Sequence, residues 1–104
     1  MAVVNRRTFY GKVGKADAIV AVLQEGGKLF AKSGVKQNYR ILTDNNSGRT
    51  DRVVWEWEAE SLAAVEAAVQ KAMATAAGQK AFGAWFAKLS EMITHAEVDN
   101  FNVR

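Results

Sequence analysis

The chain contains no cysteine and a single histidine among its 104 residues. Without thiols there is no disulfide framework, no thiolate nucleophile and no cysteine-based metal site. His95 has no second histidine to complete a zinc pair, and no EF-hand spacing occurs, so neither a metal nor a bound cofactor is expected. A glycine-rich phosphate loop is also missing: Gly26-Gly27 falls inside a helical pattern, not between a strand and a helix. No apolar run approaches the roughly 18 residues of a membrane span, and the N-terminus lacks the apolar core of a secretory signal. The expectation is a cytoplasmic protein with no membrane association.

What is present is an ordinary globular composition, 49% hydrophobic and 24% charged. It predicts one domain over residues 1–104, large enough for a core but small enough to leave apolar surface for a second copy. The net charge of +3 and pI near 9.4 invite a nucleic-acid reading. The basic residues lie mostly in the first half and the acidic ones in the second, and only Arg6-Arg7 are adjacent. Scattered cations do not make a phosphate-tracking stripe, so no nucleic-acid partner is expected.

The pattern is organised around Asp51–Leu62. Its β-branched and aromatic residues read as a buried strand, with Trp55 and Trp57 on one face and Val54, Glu56 and Glu58 on the other. Ser61 then caps a helix with Leu62, Val65, Val69 and Met73 on its buried side. Upstream, residues 3–13 predict a first strand ending at Gly14. Residues 15–33 predict an amphipathic helix closed by Gly34, in which close approach of a neighbouring backbone, or a bend, would justify Gly26-Gly27. Residues 35–44 predict a second strand, and Asp44–Gly48 a hairpin turn. Downstream, Phe82, Trp85, Phe86, Leu89, Met92 and Ile93 have helical spacing after a kink or break near Gly78. Residues 95–103 alternate as a fourth, polar strand suited to a sheet edge.

The order strand, helix, strand, strand, helix, strand is the βαββαβ ferredoxin-like plan of the α+β class. Right-handed crossovers put the helices on one face of a four-stranded antiparallel sheet. The other face is left bare with apolar residues on it, and covering it with the same face of a second copy predicts a homodimer.

Several stretches carry a family resemblance: Arg6-Arg7-Thr8-Phe9-Tyr10, the Gly14-Lys15 turn, Val53–Glu58 leading to Glu60-Ser61-Leu62, and Ala81-Phe82 with Trp85-Phe86. Together they resemble the NIPSNAP-like branch of the dimeric α/β-barrel superfamily. The resemblance implies a ferredoxin-like protomer whose sheet pairs with that of a second protomer to form a barrel. It also implies a cavity between sheet and helices, which other branches use for cofactor-free monooxygenation, haem chemistry or isomerisation. Haem-degrading members combine asparagine, tryptophan and histidine, and this chain has Asn5, Trp55 or Trp57, and His95. Its histidine, however, is on the last strand, not on a helix over the cavity.

Two candidate roles follow. Tyr10, Tyr39, Trp55, Trp57 and Trp85 are candidate walls for a small apolar or aromatic ligand. His95 and Arg7 are the candidate catalytic groups, His95 for proton transfer and Arg7 paired with Glu56 or Glu58 or anchoring a carboxylated ligand. A binding protein is expected first; the alternative is a cofactor-independent monooxygenase or an isomerase acting on an aromatic or enolisable substrate.

Overall fold

The computed structural model describes residues 2–36, 38–45 and 50–104. In chain order the elements are β1 (Val3–Gly11), α1 (Ala16–Lys32), β2 (Tyr39–Thr43), β3 (Arg52–Ala59), α2 (Leu62–Ala72), α3 (Ala76–Ser90) and β4 (Ile93–Asn102). All pairings are antiparallel, in the order β2-β3-β1-β4. This is the expected ferredoxin-like sheet, with β4 on one edge.

Register settles what faces what. Asn5 lies opposite Trp57, Arg7 opposite Trp55 and Phe9 opposite Val53, so these residues share the face on which α1 and α3 pack. Phe9, Val53 and Trp55 are buried there with Ile19, Val22, Leu23 and Phe30 of α1 and Phe82 and Leu89 of α3. The opposite face carries Arg6, Arg40, Glu56, Glu97 and Asp99 among scattered apolar residues. An open apolar patch, the reason offered above for burying this face, is therefore replaced by a largely charged surface. Alternation gave both sets of each strand some apolar members; only register showed that the charged ones, Arg7 excepted, fall on one side.

The helix ends follow local chemistry. Lys15 gives α1 no side-chain cap; instead Asp51, from the segment before β3, accepts a hydrogen bond from the Ala16 amide at 3.1 Å. Asp51 also accepts through its backbone carbonyl from the Gly11 amide and sits at φ 61°, a conformation Asp tolerates better than most residues. At the other end of α1, Gly34 takes φ 81°, its amide donates to Ala31, and that of Val35 donates to Phe30, a Schellman closure. This closure consumes Val35, and β2 begins at Tyr39, not at residue 35 as expected. Three residues of the expected hairpin turn, 46–48, lie outside the described residues, Gly48 among them.

Ser61 caps α2 through the Ala64 amide, as its position suggested. The break near Gly78 is two helices in series, with Thr75 capping α3 through the Gly78 amide. The expected buried face of α2 is corrected: Val65 and Ala72 are buried, whereas Leu62, Val69 and Met73 are exposed. The layer over the sheet is built by α1 and α3, so α2 meets the core along one narrow line.

Gly26 and Gly27 are explained by side chains, not by a neighbouring backbone. A Cβ on Gly26 would lie 2.7 Å from the Trp85 ring, and one on Gly27 would lie 2.5 Å from the Tyr39 hydroxyl. The two glycines are flat seats for aromatic rings on successive positions of α1.

Candidate functional site

The candidate aromatic residues divide into three environments. Trp55, at the centre of β3, packs edge-on to Tyr39 and Trp85, with centroids 5.8 and 6.0 Å away, and tilted against Phe30. It is buried, and its indole N–H has no acceptor among the described residues. Trp85 donates from Nε1 to the Val22 carbonyl at 2.6 Å, which ties α3 to α1. These two tryptophans are chiefly core.

Tyr39 and Trp57 are different. They are cross-strand partners at the start of β2, both only half-buried, and both border open space. One cleft of about 430 Å³ is lined by Val4, Asn38, Tyr39, Arg40, Glu56, Trp57 and Glu58. A neighbouring cleft of about 850 Å³ shares Asn38, Tyr39 and Glu58, and continues along Gly27, Lys28, Ala31 and Lys36 of the α1 end. The volumes are of ligand-binding size. The absence of a Cβ at Gly27 lets the Tyr39 ring lie flat against α1 and form the wall between the clefts.

Behind Trp57 lies a polar relay. Trp57 Nε1 donates to Asn5 Oδ1 at 3.0 Å, and Asn5 Nδ2 donates to Asn100 Oδ1 at 2.7 Å. Asn5 is only 3% exposed, so its amide is satisfied on both sides and fixes the indole plane from β1 and β4. Alternation alone put Asn5 among β1's mixed residues; its role required knowing that β1 lies between β3 and β4.

The other candidates lie away from the clefts. Tyr10 and His95 are on the opposite sheet face, stacked with centroids 4.2 Å apart and planes 8° from parallel. The Tyr10 hydroxyl donates to Glu97 at 3.2 Å, and Thr94 Oγ1 is 3.1 Å from His95 Nδ1. His95 is thus a member of an exposed surface stack. The Arg7 pairing with Glu56 or Glu58 is corrected: Arg7 is exposed, opposite Trp55 and Val98, on the other side of the sheet from both acids. It is Arg6 that meets Glu56, Nε to Oε2 at 2.7 Å, while Arg40 Nη2 reaches Oε1 at 2.7 Å. Burial alone would raise the Glu56 pKa, but the hydrogen bonds and charges of Arg40 and Arg6 outweigh it and hold the carboxyl below its ordinary range.

Glu58 was noted above as a strand-face acid and a partner for Arg7. It is the carboxylate common to both clefts, and its exposure leaves it free to meet a ligand. Among the described residues no group of three or more His, Cys, Asp or Glu could hold a metal ion, and no helix is long and apolar enough to cross a membrane.

No protein-family model matches the sequence, and no curated protein sequence matches it. Solved structures do match in shape. A NIPSNAP family protein from Agrobacterium tumefaciens superposes with a TM-score of 0.76 at 18% identity, over 99% of this chain and 86% of that one. An uncharacterized NIPSNAP domain protein from Burkholderia xenovorans gives 0.77 at 18% identity, over 98% and 94%. SnoaB, a cofactor-independent oxygenase from Streptomyces nogalater, gives 0.67 at 16% identity, over 99% and 93%. The fold is thus the one shared by NIPSNAP and oxygenase-type dimeric α/β-barrel proteins, as the sequence resemblance implied.

Proposed function

We propose that this protein is a homodimer that binds a small apolar or aromatic molecule at the Tyr39–Trp57 clefts. The observation that carries the reading is the pair itself. Two half-buried aromatic rings stand side by side against about 430 and 850 Å³ of open space, and one of them is fixed by the buried Asn5, itself bonded to Asn100. Rings held this way offer stacking area without an ordering cost on binding. Asn38, Lys28, Lys36 and Glu58 supply polar contacts at the rim.

A second reading, catalysis of the cofactor-independent oxygenase or isomerase kind, is favoured by Glu58. Such chemistry needs a group able to take a proton from an activated carbon or hydroxyl, and Glu58 is the carboxylate common to both clefts, whereas Glu56 in the first is held by two arginines. SnoaB has the same fold and is a cofactor-independent oxygenase, which makes this class the one to assay.

Native mass spectrometry of freshly purified protein, followed by tryptophan-fluorescence titration with a panel of polycyclic phenols and quinones, tests both parts. Binding is expected to quench emission in the wild type, and to weaken about tenfold or more in Trp57→Ala. Titrations equal in the wild type and in Trp57→Ala would overturn the cleft assignment, and a monodisperse 11.4 kDa species would overturn the dimer. Turnover of a bound phenol that disappears in Glu58→Gln, with binding retained, would establish the catalytic reading.

A further inference from the structure

Three charged side chains that border the clefts are unpaired. Lys28 and Lys36 line the cleft of about 850 Å³, and Glu58 lines both clefts. All three are exposed, and none makes a side-chain hydrogen bond or ion pair among the described residues. Neighbouring charges that could have paired with them are engaged elsewhere. In the smaller cleft Glu56 is bonded to Arg40 through one oxygen and to Arg6 through the other. Glu25 stands three residues before Lys28, close enough on a helix surface to pair with it, but it is bonded to Lys88.

The unpaired charges are also separated by sign. Lys28 belongs to α1 and Lys36 follows the end of that helix, so the cations come from the helix side of the larger cleft, whereas Glu58 comes from β3. The helix surface between them is low. Gly27 has no side chain and Ala31, about one turn further on, has only a methyl group, which leaves room for a planar group beside the Tyr39 ring. A lysine ammonium can only donate hydrogen bonds, and a carboxylate such as Glu58 accepts them. The complement of this lining is a flat ring with an anionic group at one end and a hydrogen-bond donor at the other. The reverse placement would set the anionic group of the ligand against Glu58, and like charges brought together at a binding site are rejected.

We infer that the ligand of the Tyr39–Trp57 clefts is an aromatic acid: a planar ring whose carboxylate is held by Lys28 and Lys36 and whose far end carries a hydroxyl that donates to Glu58. The inference rests on the binding site proposed above and adds the chemical class of its ligand and the direction in which it lies.

Isothermal titration calorimetry with 2-naphthoate, its neutral counterpart 2-naphthamide, and 6-hydroxy-2-naphthoate tests both additions. In the wild type 2-naphthoate is expected to bind about fivefold or more tighter than the amide, the combined effect of two solvent-exposed charge contacts. That advantage should vanish in the Lys28→Gln, Lys36→Gln double variant, and should shrink as salt is raised from about 20 mM to about 0.5 M. Binding of the amide should change in neither case. The hydroxyl of 6-hydroxy-2-naphthoate should add affinity in the wild type and none in Glu58→Ala, while Trp57→Ala should weaken all three ligands. The lysines and Glu58 are exposed, circular dichroism checks that each variant folds, and the comparison of acid with amide needs no variant. Equal binding of acid and amide, with Trp57→Ala still weakening both, would overturn the acid class and leave the clefts standing as the binding site. An acid preference that survives the lysine double variant would overturn the assignment of Lys28 and Lys36, and a hydroxyl advantage that survives Glu58→Ala would overturn the direction. Binding of none of the three, or binding indifferent to Trp57→Ala, would overturn the cleft assignment and this inference with it.

Discussion

Gly26 and Gly83 are both helix-interior glycines, yet alanine at the two positions is expected to act with opposite sign. In an open helix position, alanine in place of glycine stabilises by about 0.5–1 kcal/mol, because it narrows the unfolded ensemble. Gly83 is such a position: a Cβ there meets nothing within 4 Å. At Gly26 the same Cβ would stand 2.7 Å from Trp85 Cζ2 and 2.8 Å from Cε2. The ring has little room to yield. Its Nε1 is bonded to the Val22 carbonyl, and it packs against Trp55 and Phe82. Overpacking of this kind costs roughly 1–3 kcal/mol, and loss of the indole hydrogen bond adds about 1 kcal/mol. Set against the same backbone gain, Gly26→Ala is expected to destabilise by roughly 1–3 kcal/mol. Urea titrations followed by circular dichroism measure both variants at once. Gly83→Ala should shift the midpoint up and Gly26→Ala should shift it down, with unchanged slopes. In thermal melts each kcal/mol corresponds to about 4–8 °C in a domain near this size. A Gly26→Ala protein as stable as the wild type would refute the claim that the glycine is there to seat Trp85.

Asn5→Ala is expected to cost about 1–3 kcal/mol, since it strands the part-buried Trp57 indole N–H; a thermal melt within about 2 °C of wild type would contradict the relay. Glu56→Gln should cost about 1–2 kcal/mol at neutral pH, a figure reduced because both arginines are partly exposed. The Glu56 pKa is depressed in the folded state, so its contribution is complete above the unfolded carboxylate value and is lost as pH falls through the folded one. Urea midpoints taken from pH 7 downward should therefore show a smaller acid-induced loss in Glu56→Gln than in the wild type. Asp51, whose pKa is lowered by backbone hydrogen bonds from Gly14 and Ala16, follows the same sign. Asp51→Asn should melt above Asp51→Ala, because asparagine keeps an acceptor for the Ala16 amide and tolerates the left-handed backbone; the reverse order would remove Asp51 as the cap of α1.

Much of the fold was written in local pattern. Period-two alternation marked β1, β3 and β4, and three-four spacing marked α1. Ser61 and Gly34 announced helix ends by chemistry that acts within a few residues. These signals sum to βαββαβ, and chain chirality turns that order into one sheet with its helices on one face. The aromatic wall at Tyr39 and Trp57 was also visible as residue type. What local pattern could not carry was register. Whether Arg6 or Arg7 meets Glu56 depends on a one-residue choice of pairing between β1 and β3, and that choice swaps the faces of every side chain on the strand. The same choice separates Tyr10 and His95 from the tryptophans, joins Asn5 to both Trp57 and Asn100, and lines Arg40, Glu56, Arg6 and Asp99 into one row. Those residues are brought together from separate parts of the chain. The sequence by itself determined which elements form and in what order, because propensity, periodicity and capping are short-range; only the tertiary structure decided which side chains meet, because register is set by the packing of the whole sheet against α1 and α3.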